Sequence, residues 1–240
     1  ALTNFLISIS FIFTAPYIGS SVYYTLNRAL IPFGLHHVLA SLVRFTEAGG
    51  TYMLNGQEYV GILNATNEIL FNLGPTSEYW TQLMPKLTSY LGGAQMLTTL
   101  FRVPAIGLAM YHTSYLKNRK IAKGVILTCC LTAFLGNITE PLEFSFLFIS
   151  PALFILYCVM CGIGLLPYQL LKISIGYIRG TIFDFGIFGL LYENTHWIGL
   201  VVLGIFNFIV FYFVFKWFIL KFELETPGRE SFEVEESASI

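Results

Sequence analysis

From Trp197 to Leu220 the chain carries no charged residue before Lys216. A bilayer's hydrocarbon is crossed by about 20 consecutive apolar residues in a helix, so this run is long enough to span. Trp217, near its end, suits a membrane–water interface. The composition agrees: 55% of residues are hydrophobic, 17% aromatic and 11% charged, against about 25% charged in a soluble domain. A soluble protein this apolar would expose large hydrophobic patches and aggregate. The expected fold is all-α, integral to the membrane and polytopic.

Other apolar runs are less regular. Ala1 to Leu26 is long enough to span, with a kink expected at Pro16. Without a basic leader, a clear cleavage site or an initiator Met, the chain reads as a fragment. Pro32 and Gly34 break the helix pattern just before His36 and His37. Arg44 to Met96, with four Glu and two Gly-Gly pairs, is expected to leave the hydrocarbon at least in part. Thr98 to His112 is too short for an easy crossing and is interrupted by Arg102 and Pro104. Lys117, Arg119, Lys120 and Lys123 form the densest basic cluster, which puts that loop on the cytoplasmic side. Phe144 to Pro167 is divided at Pro151. Ser174 to Leu191 contains Arg179 and Asp184.

The net charge of -1 conceals an acidic tail. Residues 222–240 hold six Glu against Arg229, leaving 12 Lys+Arg and 8 Asp+Glu in residues 1–221. Such a tail reads as a solvated linker. The four cysteines lie in apolar runs, and Cys158-x-x-Cys161 lacks a second pair or a His at metal spacing, so they are expected as buried free thiols.

The chemistry centres on Gly136-Asn137-Ile138-Thr139-Glu140-Pro141. Gly124 to Leu135 is too short to cross alone, and the run after the turn soon meets Pro151, a pattern that fits a re-entrant hairpin. Irregular backbone at membrane depth is tolerated where it is buried in protein or lines a polar cavity. Glu140 is the leading functional candidate, because an intramembrane carboxylate is costly and marks a site by default. A structural carboxylate at a helix start is the plainer alternative. Glu143, three residues on, is a candidate structural partner. Adjacent helical residues point about 100° apart, so one of His36 and His37 is expected to face a ligand while the other packs. Neither has an i,i+4 partner, so no metal is expected. Arg28, Arg102, Arg179 and Asp184 divide evenly between interface or ion-pair roles and substrate contact. His112 and His196 read as interfacial. No Walker A loop, GxSxG elbow or dinucleotide fingerprint occurs, and neither a cofactor nor a nucleic-acid partner is expected.

Four blocks in order, Ile31-Pro32-Phe33-Gly34-Leu35-His36-His37, Pro104 to His112, Gly136 to Phe144 and Thr226-Pro227-Gly228-Arg229-Glu230, resemble the membrane-embedded IIC component of the bacterial sugar phosphotransferase system, in its glucose, N-acetylglucosamine and maltose branch. The resemblance implies that Glu140 and a histidine of the pair bind sugar hydroxyls, with Arg28, Asn137 and Thr139 beside them. It implies a multi-pass bacterial plasma-membrane protein whose transport domain, residues 1–221, moves past a dimeric scaffold built from earlier helices. Residues 222–240 resemble the linker to a IIB phosphocarrier domain, which is served by IIA. Asn137 in the turn leans toward the maltose or α-glucoside branch. An ion-coupled secondary sugar transporter and a non-transporting receptor are the competing readings.

Overall fold

The computed structural model describes residue 15 and residues 17–230. The expected helix over Ala1 to Leu26 and its kink at Pro16 fall largely outside these residues. The described part of that segment enters α1, Ile18–Ala29. A short 3-10 turn, Ile31–Phe33, follows, and Gly34 (φ +68°) reverses the chain before α2, His36–Phe45. Pro32 lacks a donor and Gly34 takes a left-handed conformation at no steric cost, so the helix restarts in a new direction at His36.

Among the described residues, which are mostly helical, one β-hairpin follows α2. Strands β1, Thr51–Leu54, and β2, Gln57–Val60, pair antiparallel with Thr51 opposite Val60. Asn55 (φ 50°) and Gly56 (φ 80°) form the two-residue turn, the Asn-Gly signal that favours a tight hairpin. Helix α3, Ile62–Asn67, continues through a wide turn, Glu68–Leu73, to α4, Glu78–Tyr90, which Ser77 caps by accepting from the Trp80 amide.

The next helix corrects the sequence expectation. Gly92 to Thr113 is helical throughout, as α5, Gly92–Met96, a wide turn, Leu97–Arg102, and α6, Val103–Thr113. Arg102 and Pro104 do not interrupt it. A proline inside a helix lacks its amide and crowds the carbonyl four residues back, and the i→i+5 turn just ahead of Pro104 gives that carbonyl room. Helix α7 is likewise longer than Gly124 to Leu135, running Arg119–Gly136 because the basic residues before the apolar run are helical too. After Asn137 come α8, Glu140–Leu147, and α9, Pro151–Ile163, with Pro151 dividing them as expected and Ser150 capping α9. Short α10, Pro167–Leu170, follows. Residues 173–177 are buried and carry no regular secondary structure. They lead to α11, Ile182–Asp184, a wide turn, Phe185–Leu190, and the 25-residue α12, Trp197–Lys221.

Among the described residues, two stretches are long and apolar enough to cross a membrane, Pro151–Leu170 at mean hydropathy 1.9 and Trp197–Lys221 at 2.6. Helix α12 buries Leu200, Leu203, Asn207, Phe211 and Phe215. Its opposite face exposes Ile198, Val202, Phe206, Ile209, Phe213 and Trp217. A helix apolar on both faces is at home in lipid, not water.

In lipid, helices gain little from hiding apolar surface from each other, so association depends on close packing at small residues. Helix α1 lies along α9, and α6 along α12. At Gly162 of α9, an added Cβ would sit 2.6 Å from the Ser21 carbonyl oxygen and collide with Thr25, both in α1. Gly204 of α12 similarly abuts the Phe101 ring.

Buried Arg102 donates to Asn207 Oδ1 (2.9 Å) and Thr98 Oγ1 (3.2 Å) and lies between the Tyr24 and Phe211 rings. It therefore neither snorkels, nor pairs with a carboxylate among the described residues, nor reaches the cavity described below. All four cysteines are free thiols, but only Cys158 and Cys161 are buried as expected; Cys129 and Cys130 are half-buried. His112 Nδ1 meets the Tyr212 hydroxyl at 2.8 Å. His196 (φ 50°) turns the chain into α12.

Past α12 the chain is not simply solvated. Thr226 and Arg229 are buried. Arg229 donates to the Thr113 carbonyl (2.9 Å) and the Leu224 carbonyl (3.0 Å), while the Tyr115 amide donates to the Gly228 carbonyl (3.0 Å). The start of the expected linker is thus fastened to the α6–α7 turn. The remainder, residues 231–240, lies outside the described residues.

Candidate functional site

The turn between α7 and α8 is built by its sequence. Gly136 ends α7, and Asn137 adopts the left-handed conformation (φ 57°) that terminates helices. The Asn137 and Ile138 amides close back onto the Ala133 and Thr132 carbonyls. Helix α8 then starts at Glu140, with Pro141 in its first turn, where a missing amide costs nothing. The Asn137 side chain is held by Gln95, donating from Nδ2 to Oε1 at 3.0 Å.

This turn forms one wall of a cavity of ≈ 610 Å³. The other walls are the end of α1 (Tyr23, Tyr24, Asn27, Arg28), the start of α2 (His36, His37), Arg44, Tyr90, and the stretch Tyr177 to Arg179. All six residues expected at the site, Arg28, His36, His37, Asn137, Thr139 and Glu140, line it. Both histidines do so, against the expectation that their angular separation would turn one away. Their rings lie 4.0 Å apart, tilted by 38°.

His36 Nε2 stands 3.5 Å from Glu140 Oε1, beyond a good hydrogen bond, and both His36 ring nitrogens lack a partner. Helix α2 lies outside the two long apolar stretches. There, burial pulls the His36 imidazole below its ordinary value, proximity to His37 adds to this, and Glu140 opposes it. A neutral imidazole offers one donor and one acceptor, and the Glu140 carboxylate is acceptor-only. Together they match hydroxyl groups, each of which gives one proton and takes another.

Arg28 is arranged differently. Its Nη1 donates to Glu143 Oε1 at 2.9 Å and to Thr139 Oγ1 at 3.0 Å, and its guanidinium lies 4.8 Å from the Tyr24 ring centre. The Tyr157 hydroxyl of α9 donates to the same Glu143 oxygen. Glu143 is 1% exposed on its side chain, so this is a buried ion pair tying α1, α8 and α9 together beneath the turn. Arg28 and Thr139 thereby position the turn that carries Glu140. The spacing of Glu143 from Glu140 had marked it as a structural partner; nothing in the spacing pointed to Tyr157.

Arg44, Gln95 and Tyr177 also line the cavity and were not singled out by sequence. Arg44 Nη2 donates to the Tyr177 hydroxyl at 2.7 Å. Arg179 lines the cavity, whereas Asp184 turns away, accepting the backbone amides of Arg179 (2.7 Å), Gly180 and Thr181. His36, His37 and Glu140 each bring a ligand atom within 4.8 Å of the others, so they could hold a cation. Spacing missed this because the third ligand comes from Glu140, far along the chain.

A mostly helical chain whose longest helix is apolar on both faces, with a polar cavity between its helices, fits a membrane protein. Comparison with known proteins makes the class specific: the family model Phosphotransferase system, EIIC matches residues 1–162, and the chain belongs to that family, a membrane component of the bacterial system. The maltose-specific EIICB component of Escherichia coli (strain K12) is 37% identical over 214 residues, covering 89% of this chain and 39% of that protein. The glucose-specific EIICBA components of Staphylococcus saprophyticus and Staphylococcus carnosus are 36% and 34% identical, covering 85% and 88% of this chain. The chain spans only 29% and 30% of their lengths.

Proposed function

We propose that residues 1–221 are the sugar-binding part of a phosphotransferase permease that takes glucose or an α-glucoside such as maltose, and presents it to a phosphorylated IIB domain. Glu140 and the His36–His37 pair hold the sugar hydroxyls, Asn137 and Thr139 complete the turn, and Arg28 orients it. The tyrosine rings on the cavity wall give the sugar's C–H faces apolar surface to rest on. The α7–α8 turn is the tip of a re-entrant hairpin in a multi-pass body, and residues 222–240 lead toward IIB. A homodimer belongs to the same reading.

The observation that carries the proposal is the convergence of six residues from separate segments, Arg28, His36, His37, Asn137, Thr139 and Glu140, on one cavity. The names of the relatives, specific for maltose or glucose and fused to B or BA parts, support the substrate class and the partner. The test is transport by the full-length protein with labelled glucose and maltose, with and without a phosphorylated IIB domain. Sugar phosphate appearing only with phosphorylated IIB is the expected result. Accumulation of unmodified sugar driven by an ion gradient would instead assign an ion-coupled transporter.

A further inference from the structure

Two cations on the cavity wall have no part in that reading. Arg44, in the last turn of α2, donates from Nη2 to the Tyr177 hydroxyl, and its Nε has no partner. Arg179, two residues beyond Tyr177, makes no side-chain hydrogen bond or ion pair among the described residues. The backbone beneath it is nevertheless fixed. Asp184 accepts the amides of residues 179–181, and Thr99 Oγ1 donates to the Gly180 carbonyl at 2.9 Å.

Charge around the cavity is unbalanced as a result. Glu143 matches Arg28, and the Asp184 carboxylate is taken up by backbone amides. Glu140 is then the one acidic side chain on the lining, against both Arg44 and Arg179. A neutral sugar has no need of a cation excess. Guanidinium groups, with planar forks of donors, fit phosphate oxygens in a way that other side chains do not.

We propose that Arg44 and Arg179 form a subsite for the phosphoryl group of a sugar phosphomonoester, the form the sugar takes once it has been phosphorylated. The proposal rests on the reading of this cavity as a sugar site. Asp184 is a positioning residue in it, holding the backbone that carries Arg179 through three amides.

The test uses the full-length protein in detergent and calorimetric binding of a neutral sugar, glucose or maltose, and of its phosphomonoester, glucose 6-phosphate or maltose 6′-phosphate. The unaltered protein should bind both, each displacing the other. Arg44→Gln and Arg179→Gln should each weaken the phosphomonoester about tenfold, the scale of one lost charge-assisted bond, while the neutral sugar stays within about threefold. Arg179→Lys should lose less than Arg179→Gln. Equal phosphomonoester binding by variants and unaltered protein overturns the subsite. So does a parallel loss of both ligands, which would make the arginines part of the fold or of the neutral-sugar site. If the unaltered protein binds no neutral sugar, the underlying sugar-site reading falls, and the subsite with it.

Discussion

Arg28 and Glu143 meet at 2.9 Å with their side chains 7% and 1% exposed, which places an ion pair wholly inside the protein directly below the turn that carries Glu140. Removing one partner of such a pair leaves an uncompensated buried charge and typically costs about 3–5 kcal/mol. Glu143→Ala should therefore lower thermal stability in detergent sharply. Replacing both members, as Arg28→Met with Glu143→Leu, should recover more than half of the loss. Additive losses in this double-mutant cycle would show that the two side chains do not act as a pair.

Glu140 differs in kind, since its side chain is 30% exposed and the groups beside it are the imidazoles of His36 and His37, not a buried cation. Glu140→Gln should abolish sugar binding and leave expression and melting temperature close to those of the unaltered protein. Near-normal uptake by this variant would falsify the assigned role.

The histidine pair should give the site a pH signature. His36 is held below its ordinary value of 6.5 by burial, so it is neutral at pH 7 and presents an acceptor nitrogen. Protonation removes that acceptor and draws the ring onto Glu140. Sugar affinity should be flat from neutral to mildly alkaline pH, and should fall as acidification passes through the depressed His36 value. A titration of binding against pH, repeated with His36→Gln, checks this; the variant should lose affinity and lose the acid-side dependence.

Gly162 sets how closely α1 approaches α9, with the Ser21 carbonyl 2.6 Å from where a Cβ would lie. Gly162→Val should separate the two helices, costing about 1–3 kcal/mol by overpacking. Because Arg28 sits on α1 and Tyr157 on α9, sugar affinity should drop as well. A variant as stable as the unaltered protein would show that the contact is loose.

Arg229 fastens the chain after α12 to the Thr113 carbonyl. Arg229→Ala should speed hydrogen exchange at the Tyr115 amide, which donates to Gly228, and should expose residues 223–230 to limited proteolysis. Sugar binding should change by less than twofold, since this contact lies outside the cavity lining.

The helix α12, the break at Pro32 and Gly34 and the division at Pro151 were legible in sequence, because each follows from a local property: an unbroken apolar run, a missing amide, a left-handed glycine. The six candidate residues, which line one cavity, were singled out through an intramembrane carboxylate and the family resemblance. What the sequence could not contain is adjacency across distance. Arg102 divided evenly between an interface or ion-pair role and substrate contact until Asn207, on another helix, and Thr98, one turn earlier, were found to accept from it. Pro104 looked like a helix end because the wide turn that absorbs it leaves no simple periodic mark. The tie from Arg28 through Glu143 to Tyr157, and the cation excess at Arg44 and Arg179, exist only where separate segments meet. Local sequence determines which groups are costly to bury; the packing of the chain decides which partners offset that cost and which groups remain free to meet a ligand.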